Sequence, residues 1–90
     1  MDWKKYAWVK RGKRRQKTLE FFSRAINPRT INDIREKTKI AISQASATVA
    51  ELEQAGLMEC LNSEDKIGKL YRISKEGKEI ITTMGVKEIE

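Results

Sequence analysis

The chain has 90 residues, with 19 lysines and arginines against 13 acidic residues and no histidine. This length predicts one domain with one small core, and the net charge of +6 favours an anionic partner. A single cysteine excludes an intramolecular disulfide, and without histidine no ordinary zinc site can form, so no metal ion or other cofactor is expected.

The hydropathy pattern is that of a protein without a membrane segment. No apolar run approaches about 20 residues, the length that a spanning helix needs. The first residues are rich in lysine and lack the apolar stretch of a signal peptide. The sequence therefore predicts a soluble, cytoplasmic protein with no membrane partner.

Positive charge is concentrated at the start of the chain. Residues 1–17 carry a net charge of +7, because eight lysines and arginines there are opposed by one aspartate. Residues 18–65 sum to −3 and residues 66–90 to +2. The positive field therefore has two sources, the first 17 residues and the segment after residue 65.

The first twelve residues are predicted to form a basic aromatic arm. Trp3, Tyr6 and Trp8 stand among lysines there, and Gly12 is a plausible break before the next element. The apolar period does not distinguish an extended arm from a first helical turn. We expect the aromatic residues to pack either on the first helix of the domain or across a dimer.

A first helix of the domain is predicted over residues 13–26. Leu19, Phe22 and Ile26 fall at helical spacing and form one apolar stripe. Pro28, the only proline, ends this helix.

A short second helix is predicted over residues 31–38. Thr30 and Asp33 have the spacing of a capping box, in which the two side chains satisfy backbone amides of the first turn. Ile31 and Ile34 are expected to point inward.

A third helix is predicted over residues 42–55. Gly56 follows it at the position where a left-handed residue commonly ends a helix. Apolar residues recur every three or four positions and predict one buried stripe. The residues of that stripe are Ile42, Ala45, Val49 and Leu52.

A β-hairpin is predicted after the third helix. Residues 57–61 and 69–73 are short strand-like runs, and a polar loop with Gly68 at its end joins them. A very short extra strand near Arg29 and Thr30 could join this hairpin. Cys60 is expected to be a small strand residue that faces the core.

The last predicted helix covers residues 75–84, and Ser74 is its expected N-cap. The fold class is α+β, mostly α, with a three-helix core, a β-hairpin "wing" and a C-terminal helix. Residues 13–84 form the expected domain, and residues 85–90 form a tail.

Four stretches of the chain resemble winged helix-turn-helix transcription regulators. The most specific are the L-x-x-x-G-L pattern at residues 52–57 and the Y-R-I-S-x-x-G pattern at residues 71–77, supported by residues 10–15 and 31–34. The likeness is closest to the small archaeal regulators related to the antibiotic-resistance and arsenical-resistance repressors. The resemblance implies a winged helix domain over 13–84, with the third helix in the major groove and the wing on the neighbouring backbone. It also implies a homodimer, for which the N-terminal arm and the C-terminal helix are candidate contacts.

Double-stranded DNA is the expected partner. Phosphate contacts are expected from basic residues of the first helix and the wing, and from the amino end of the second helix. Base contacts are expected from the third helix. It carries no arginine or lysine at the exposed positions where family members often have one. Its Gln44 can pair with adenine. The predicted contact residues are Lys13, Arg14, Arg15, Lys17, Thr30, Asn32, Ser43, Gln44, Ala47, Thr48, Lys66, Lys69 and Arg72.

Other functions remain open at this stage. A winged helix can also serve as a protein–protein interaction module without direct DNA binding, and the neutral third helix with Glu51 and Glu53 fits that alternative. Arg72 could instead pair with an acidic residue of the wing. An enzyme is not expected, because the chain has no histidine, no glycine-rich phosphate loop and no evident pair of catalytic carboxylates.

Overall fold

Helices and one β-hairpin make up the part of the chain that a computed structural model describes, residues 1–25 and 27–85. The predicted α+β architecture with mostly helical content is confirmed. The predicted end of the first helix at residue 26 and the tail beyond residue 85 lie outside the described residues. The elements are α1 (Trp3–Arg11), α2 (Lys13–Arg24), α3 (Ile31–Thr38), α4 (Ile42–Gln54), β1 (Met58–Cys60), β2 (Tyr71–Ile73) and α5 (Lys75–Thr83).

The start of the chain is helical. Of the two conformations that the sequence leaves open, an extended arm and a helical turn, the structure shows the helical one. The Asp2 carboxylate accepts hydrogen bonds from the backbone amides of Lys4 and Lys5 at 3.0 and 3.2 Å, and so caps the first turn of α1. Val9 is fully buried, and the Lys5 ammonium lies 2.9 Å from the Glu76 carboxylate on α5. α1 therefore packs against the rest of the domain.

One apolar core receives side chains from every helix and from both strands. Among the predicted inward positions, Leu19, Phe22, Ile34, Ala45, Val49 and Leu52 are buried, Ile31 is half-buried, and Ile26 lies outside the described residues. Ile42 is 40% exposed, because the first residue of α4 lies at the edge of the contact and Ile40 of the preceding connection fills the core there. The buried apolar residues are Val9, Leu19, Phe22, Ile34, Ile40, Ala45, Val49, Leu52, Leu57, Met58, Tyr71, Ile73, Ile80 and Ile81.

The capping box predicted at the start of α3 is confirmed. The Asp33 carboxylate accepts from the Thr30 amide at 2.9 Å, and the Thr30 hydroxyl accepts from the Asp33 amide at 3.4 Å. The bond from the Thr30 amide holds the pKa of the Asp33 carboxyl below its ordinary value. Stabilisation from this bond is present above about pH 4 and is lost as the pH falls through the lowered pKa of the folded state.

The hairpin is attached to the segment that precedes α3. β1 and β2 pair antiparallel, with Met58 opposite Ile73 and Cys60 opposite Tyr71. The expected extra strand is present as a bridge, in which the Arg29 amide donates to the Tyr71 carbonyl at 3.0 Å and the Tyr71 amide donates back at 2.8 Å. These bonds fix the hairpin beside the amino end of α3.

The end of α4, the base of the hairpin and the start of α5 meet at one buried joint. Gly56 has a φ of +80°, as predicted for the residue that ends this helix. The Ser74 hydroxyl donates to the Gly56 carbonyl at 2.6 Å and accepts from the Gly77 amide at 3.1 Å, which confirms Ser74 as the N-cap of α5. A Cβ added at Gly77 would collide with the Leu57 carbonyl and the Ile73 side chain. The close packing of α5 against these residues therefore requires glycine at position 77.

Gly77→Ala is expected to destabilise the protein, although alanine is the better helix former. The added methyl group overpacks the joint, and we expect a loss of about 1–2 kcal/mol in the free energy of unfolding. Urea denaturation measures this loss. Lys78→Ala, an exposed position on the same helix, is the control and should leave stability nearly unchanged. A Gly77→Ala protein as stable as the wild type would show that the joint is looser than described.

Candidate nucleic-acid interface

The outermost stripe of α4 is uncharged, and the exposed Glu51 and Glu53 lie on its two sides. Ser43, Ala47, Ala50 and Gln54 are all exposed, and their spacing of four, three and four residues places them on one side of the helix. The opposite side of α4, with Ala45, Val49 and Leu52, is buried in the core. We call these four residues the α4 stripe. Because three of them are small, a partner can approach the helix backbone closely.

The stripe contains only part of the base-contacting set that the sequence predicts. Ser43 and Ala47 belong to it, and Gln44 is exposed beside it. Ala50 and Gln54 were not predicted as contacts, although helical spacing from Ser43 and Ala47 leads directly to them.

The predicted base contact by Thr48 is wrong. Thr48 is 3% exposed, and its hydroxyl donates to the Gln44 carbonyl one turn earlier at 2.8 Å. It lies three residues after Ala45 and four before Leu52, so it shares their buried side of α4.

A cleft of about 440 Å³ separates α4 from the hairpin. We call it the hairpin cleft. It brings together Thr30 and Asn32 of the predicted second-helix contacts with Lys66 and Lys69 of the predicted wing contacts, and Ser46 of α4 lines it as well. Its lining residues are Thr30, Ile31, Asn32, Ile42, Ser46, Lys66, Ile67, Gly68, Lys69 and Tyr71.

A second cleft, of about 310 Å³, lies between α4 and the start of α2. We call it the α2 cleft. Three predicted phosphate contacts, Lys13, Arg14 and Arg15, line it together with Glu51 of α4. The Arg15 guanidinium also lies over the Trp8 ring, 4.4 Å from its centroid, so part of its surface is covered by this cation–π contact.

The two clefts lie on opposite sides of the α4 stripe. Each residue advances about 100° around an α-helix. Ile42 and Ser46, which line the hairpin cleft, therefore fall on one side of the stripe, whereas Thr48 and Glu51, which line the α2 cleft, fall on the other. The uncharged stripe is thus flanked by basic residues on both sides.

The basic residues of the two clefts are not neutralised by close acidic partners. Among the residues that the structure describes, none of their lysines or arginines has a carboxylate oxygen within 4.0 Å. Glu51 adds one negative charge to the α2 cleft. The remaining positive charge is available to an external anion.

Arg72 is not part of either cleft lining. Its guanidinium donates to the Glu59 carboxylate at 2.9 Å, and Glu59 is its direct partner across the hairpin. The structure therefore shows the alternative pairing with an acidic residue of the hairpin. This pair is exposed and contributes little to stability.

Lys17 lies away from the α4 stripe. It lines a groove of about 670 Å³ between α2 and α3, together with Arg24, Arg29 and Lys37. The sequence predicts Lys17 beside the other basic residues of α2, and in the structure it lines this groove rather than the α2 cleft. The three other cations of this groove were not predicted as contacts.

The loop of the hairpin is held in shape by Asn62. Its side-chain oxygen accepts from the Leu70 amide at 2.7 Å, and its side-chain amide donates to the Asp65 carboxylate at 2.9 Å and to the Gly68 carbonyl at 3.2 Å. Gly68 has a φ of +70°, as the sequence predicts. The loop therefore presents Lys66 from a defined backbone.

Tyr71 and Cys60 lie on the side of the hairpin that packs against the core. Burial raises the pKa of the Tyr71 phenol above its ordinary value, so the phenol stays neutral across the physiological range. Cys60 is half-buried and packs against the core, and its Sγ lies 3.8 Å from the Asn62 side-chain oxygen.

Within residues 1–25 and 27–85, no three cysteine or acidic side chains are grouped as a metal site requires. No helix in that part of the chain combines the length and the apolar character of a membrane span.

Comparisons with known proteins do not extend this description. Scans against protein-family models, curated proteins and solved structures give no match for this chain.

Asn62→Ala is expected to loosen the hairpin loop and to leave the core intact. The variant loses hydrogen bonds to three loop positions, and a typical bond contributes about 1 kcal/mol. Amide hydrogen exchange should therefore speed up roughly tenfold or more at Leu70 and remain unchanged at Leu52. Ser63→Ala, an exposed loop position, is the matched control. Equal exchange at Leu70 in wild type and Asn62→Ala would contradict the role of Asn62.

Proposed function

We propose that this chain is a winged helix-turn-helix protein that binds double-stranded DNA and regulates transcription in the cytoplasm. In this proposal α3 and α4 form the helix-turn-helix, α4 enters the major groove, and the β-hairpin is the wing. The observation that carries the proposal is the uncharged α4 stripe with a basic cleft on each side.

The charge pattern matches the two chemical surfaces of a duplex. The major groove is about 12 Å wide and admits a helix, and its edges are two rows of phosphates. A helix with an uncharged leading face can approach the base edges, while cations on its two flanks contact the two rows of phosphates. Lys66 and Lys69 on one flank and Lys13 and Arg14 on the other are such cations.

Base recognition falls to the polar residues on and beside the stripe. Gln44 and Gln54 each carry an amide that can pair with the N6 and N7 atoms of adenine. The methyl groups of Ala47 and Ala50 suit contact with a thymine methyl, and Ser43 can hydrogen-bond with any base. This set favours A·T-rich contacts over guanine, which is read mainly by arginine and lysine.

The amino end of α3 supports a phosphate beside the hairpin cleft. The side chains of Thr30 and Asp33 each accept a hydrogen bond from the backbone amide of the other residue. The backbone amides of Ile31 and Asn32 have no hydrogen-bond partner within the helix. Because helix amino ends attract anions, a phosphate held there is also close to Lys66 and Lys69 of the same cleft.

We further propose a homodimer through α1 and α5. Trp3 is 62% exposed and stacks edge-to-face on Tyr6 with ring centroids 5.4 Å apart. The chain's amino group lies 3.5 Å from the Glu79 carboxylate on α5, so this aromatic surface adjoins α5. Burial of Trp3 against a second copy would remove a large apolar surface from water and double the number of DNA contacts.

A protein-interaction module is the second candidate. Its support is a largely apolar groove of about 430 Å³ between α1 and α4, lined by Trp8, Glu51, Gln54 and Ala55 among others. A partner seated there would cover the end of the α4 stripe and compete with DNA. Protein binding without DNA affinity at low salt would favour this candidate.

Salt dependence tests the phosphate contacts. Duplex binding, measured by fluorescence anisotropy, should weaken steeply as salt rises, because each phosphate contact releases about one counterion. Replacing Lys13 and Arg14 together by glutamine should weaken binding to every sequence and reduce the salt slope by about 2.

The matched control for this test replaces Lys75 and Lys78 by glutamine, which removes the same charge from an exposed face of α5. It should leave the salt slope nearly unchanged. Equal losses in the two double variants would mean that net charge alone drives binding, and the interface proposed here would be wrong.

Sequence preference tests the role of α4. We expect Gln44→Ala to change the sequences selected from random duplexes, with a discrimination of about 1–3 kcal/mol lost at one base pair. Thr48→Val is the control, because Thr48 is buried and contacts no base in this account. Unchanged selection by Gln44→Ala would remove that residue from the reading surface.

A further inference from the structure

The most exposed large apolar side chain in the described residues stands at the tip of the hairpin. Ile67 is 91% exposed, whereas Leu61 and Leu70 of the same hairpin are 44% and 37% exposed. Burial of an isoleucine side chain is favourable, and this side chain gains almost none of that stabilisation within its own chain. Its burial would therefore favour contact with another molecule.

The tip is also held in place. Asn62 bonds both ends of the turn, to Asp65 and to the carbonyl of Gly68, the residue that follows Ile67. The Asp65 amide donates back to the Asn62 carbonyl at 3.0 Å. A contact by Ile67 therefore does not require the ordering of a loose loop, and little conformational entropy is lost on binding.

Two lysines flank this apolar tip, and the acidic Glu64 and Asp65 come before them in the loop. Lys66 precedes Ile67 and Lys69 follows two residues later, and both line the hairpin cleft with it. The other wall of that cleft includes Ile42 and Ser46 of the first turns of α4. The tip thus lies across a phosphate-attracting cleft from the helix proposed to enter the major groove.

We propose, on the basis of the proposed function, that Ile67 is an apolar wedge that enters the minor groove beside the α4 site and bends the duplex. Aliphatic side chains pushed between base pairs in the minor groove partly unstack one step and kink the DNA. Lys66 and Lys69 hold the phosphates at the edges of that groove. The charge of the flanking lysines favours DNA over an apolar protein surface as the occupant.

This arrangement predicts a second kind of specificity. An isoleucine has no hydrogen-bonding group, so it cannot distinguish base edges. It selects a step by the energy needed to open it, and pyrimidine–purine steps such as TA open most easily. The wing would therefore prefer a flexible step at a fixed distance from the bases that α4 contacts.

The test measures DNA bending by energy transfer between dyes at the two ends of a duplex that carries the selected site. The wild type should bend it by roughly 20–90°. Ile67→Ala should reduce the bend and weaken binding about 3- to 30-fold, with an unchanged salt slope because no phosphate contact is lost. Replacing the TA step by a G·C-rich step should weaken the wild type and have little effect on Ile67→Ala. Leu61→Ala, an exposed apolar position between β1 and the loop, should behave as the wild type.

The outcomes separate this inference from the function on which it rests. If the wild type does not bind duplex DNA at low salt, the proposed function fails. If it binds and Ile67→Ala bends DNA as the wild type does, the wedge is wrong and the proposed function stands. If Ile67→Ala instead abolishes self-association in sedimentation experiments without changing the bend, the tip is a contact between protein copies, which also overturns the wedge.

Discussion

The rotation of α4 about its own axis decides which of its side chains face solvent, and its buried apolar residues fix that rotation. Ala45 and Leu52 are fully buried, and Val49 is 1% exposed. A helix anchored along this line has one outermost stripe, formed by Ser43, Ala47, Ala50 and Gln54, and these residues carry no charge. Their mostly small side chains permit the close approach that contact with a base edge requires. The proposed reading surface is therefore a direct consequence of core packing.

The position of the hairpin relative to α4 is fixed by backbone and hydroxyl hydrogen bonds. The Leu57 amide donates to the Leu52 carbonyl at 2.9 Å, and the Ser74 amide donates to the Leu57 carbonyl at 3.0 Å. The Ser74 hydroxyl adds a bond to Gly56. These bonds connect the end of α4 to both strands at the base of the hairpin, and so they set the position of Lys66 and Lys69 relative to the α4 stripe. A preformed arrangement of this kind would leave little rearrangement to the proposed binding of DNA.

Local signals were sufficient to predict most of the fold. The capping box at Thr30, the cap at Ser74 and the glycine at 56 predict element ends that the structure confirms to within about two residues. The nine-residue helix α1 was left open between two conformations, because its aromatic residues have no clear period. The missed signal was Asp2, an N-cap residue directly before it.

The candidate site was less predictable, because much of it depends on tertiary structure. Helical spacing alone would have placed Thr48 with Ala45 and Leu52, so that error was avoidable. The pairing of Arg72 with Glu59 depends on the register of the hairpin. The clefts depend on which elements pack side by side, so that Lys17 lines the groove between α2 and α3 whereas Lys13 lines the α2 cleft. Neither fact follows from a local pattern in the sequence.

The central claim is that the α4 stripe and its two basic clefts form one binding surface. Titrating isotope-labelled protein with a duplex and following backbone amide shifts by NMR tests it directly. We expect Ser43, Ala47, Ala50 and Gln54 to shift together with Lys13 and Arg14 on one side and Lys66 and Lys69 on the other. Shifts confined to the groove between α2 and α3, with the α4 stripe unaffected, would contradict the claim.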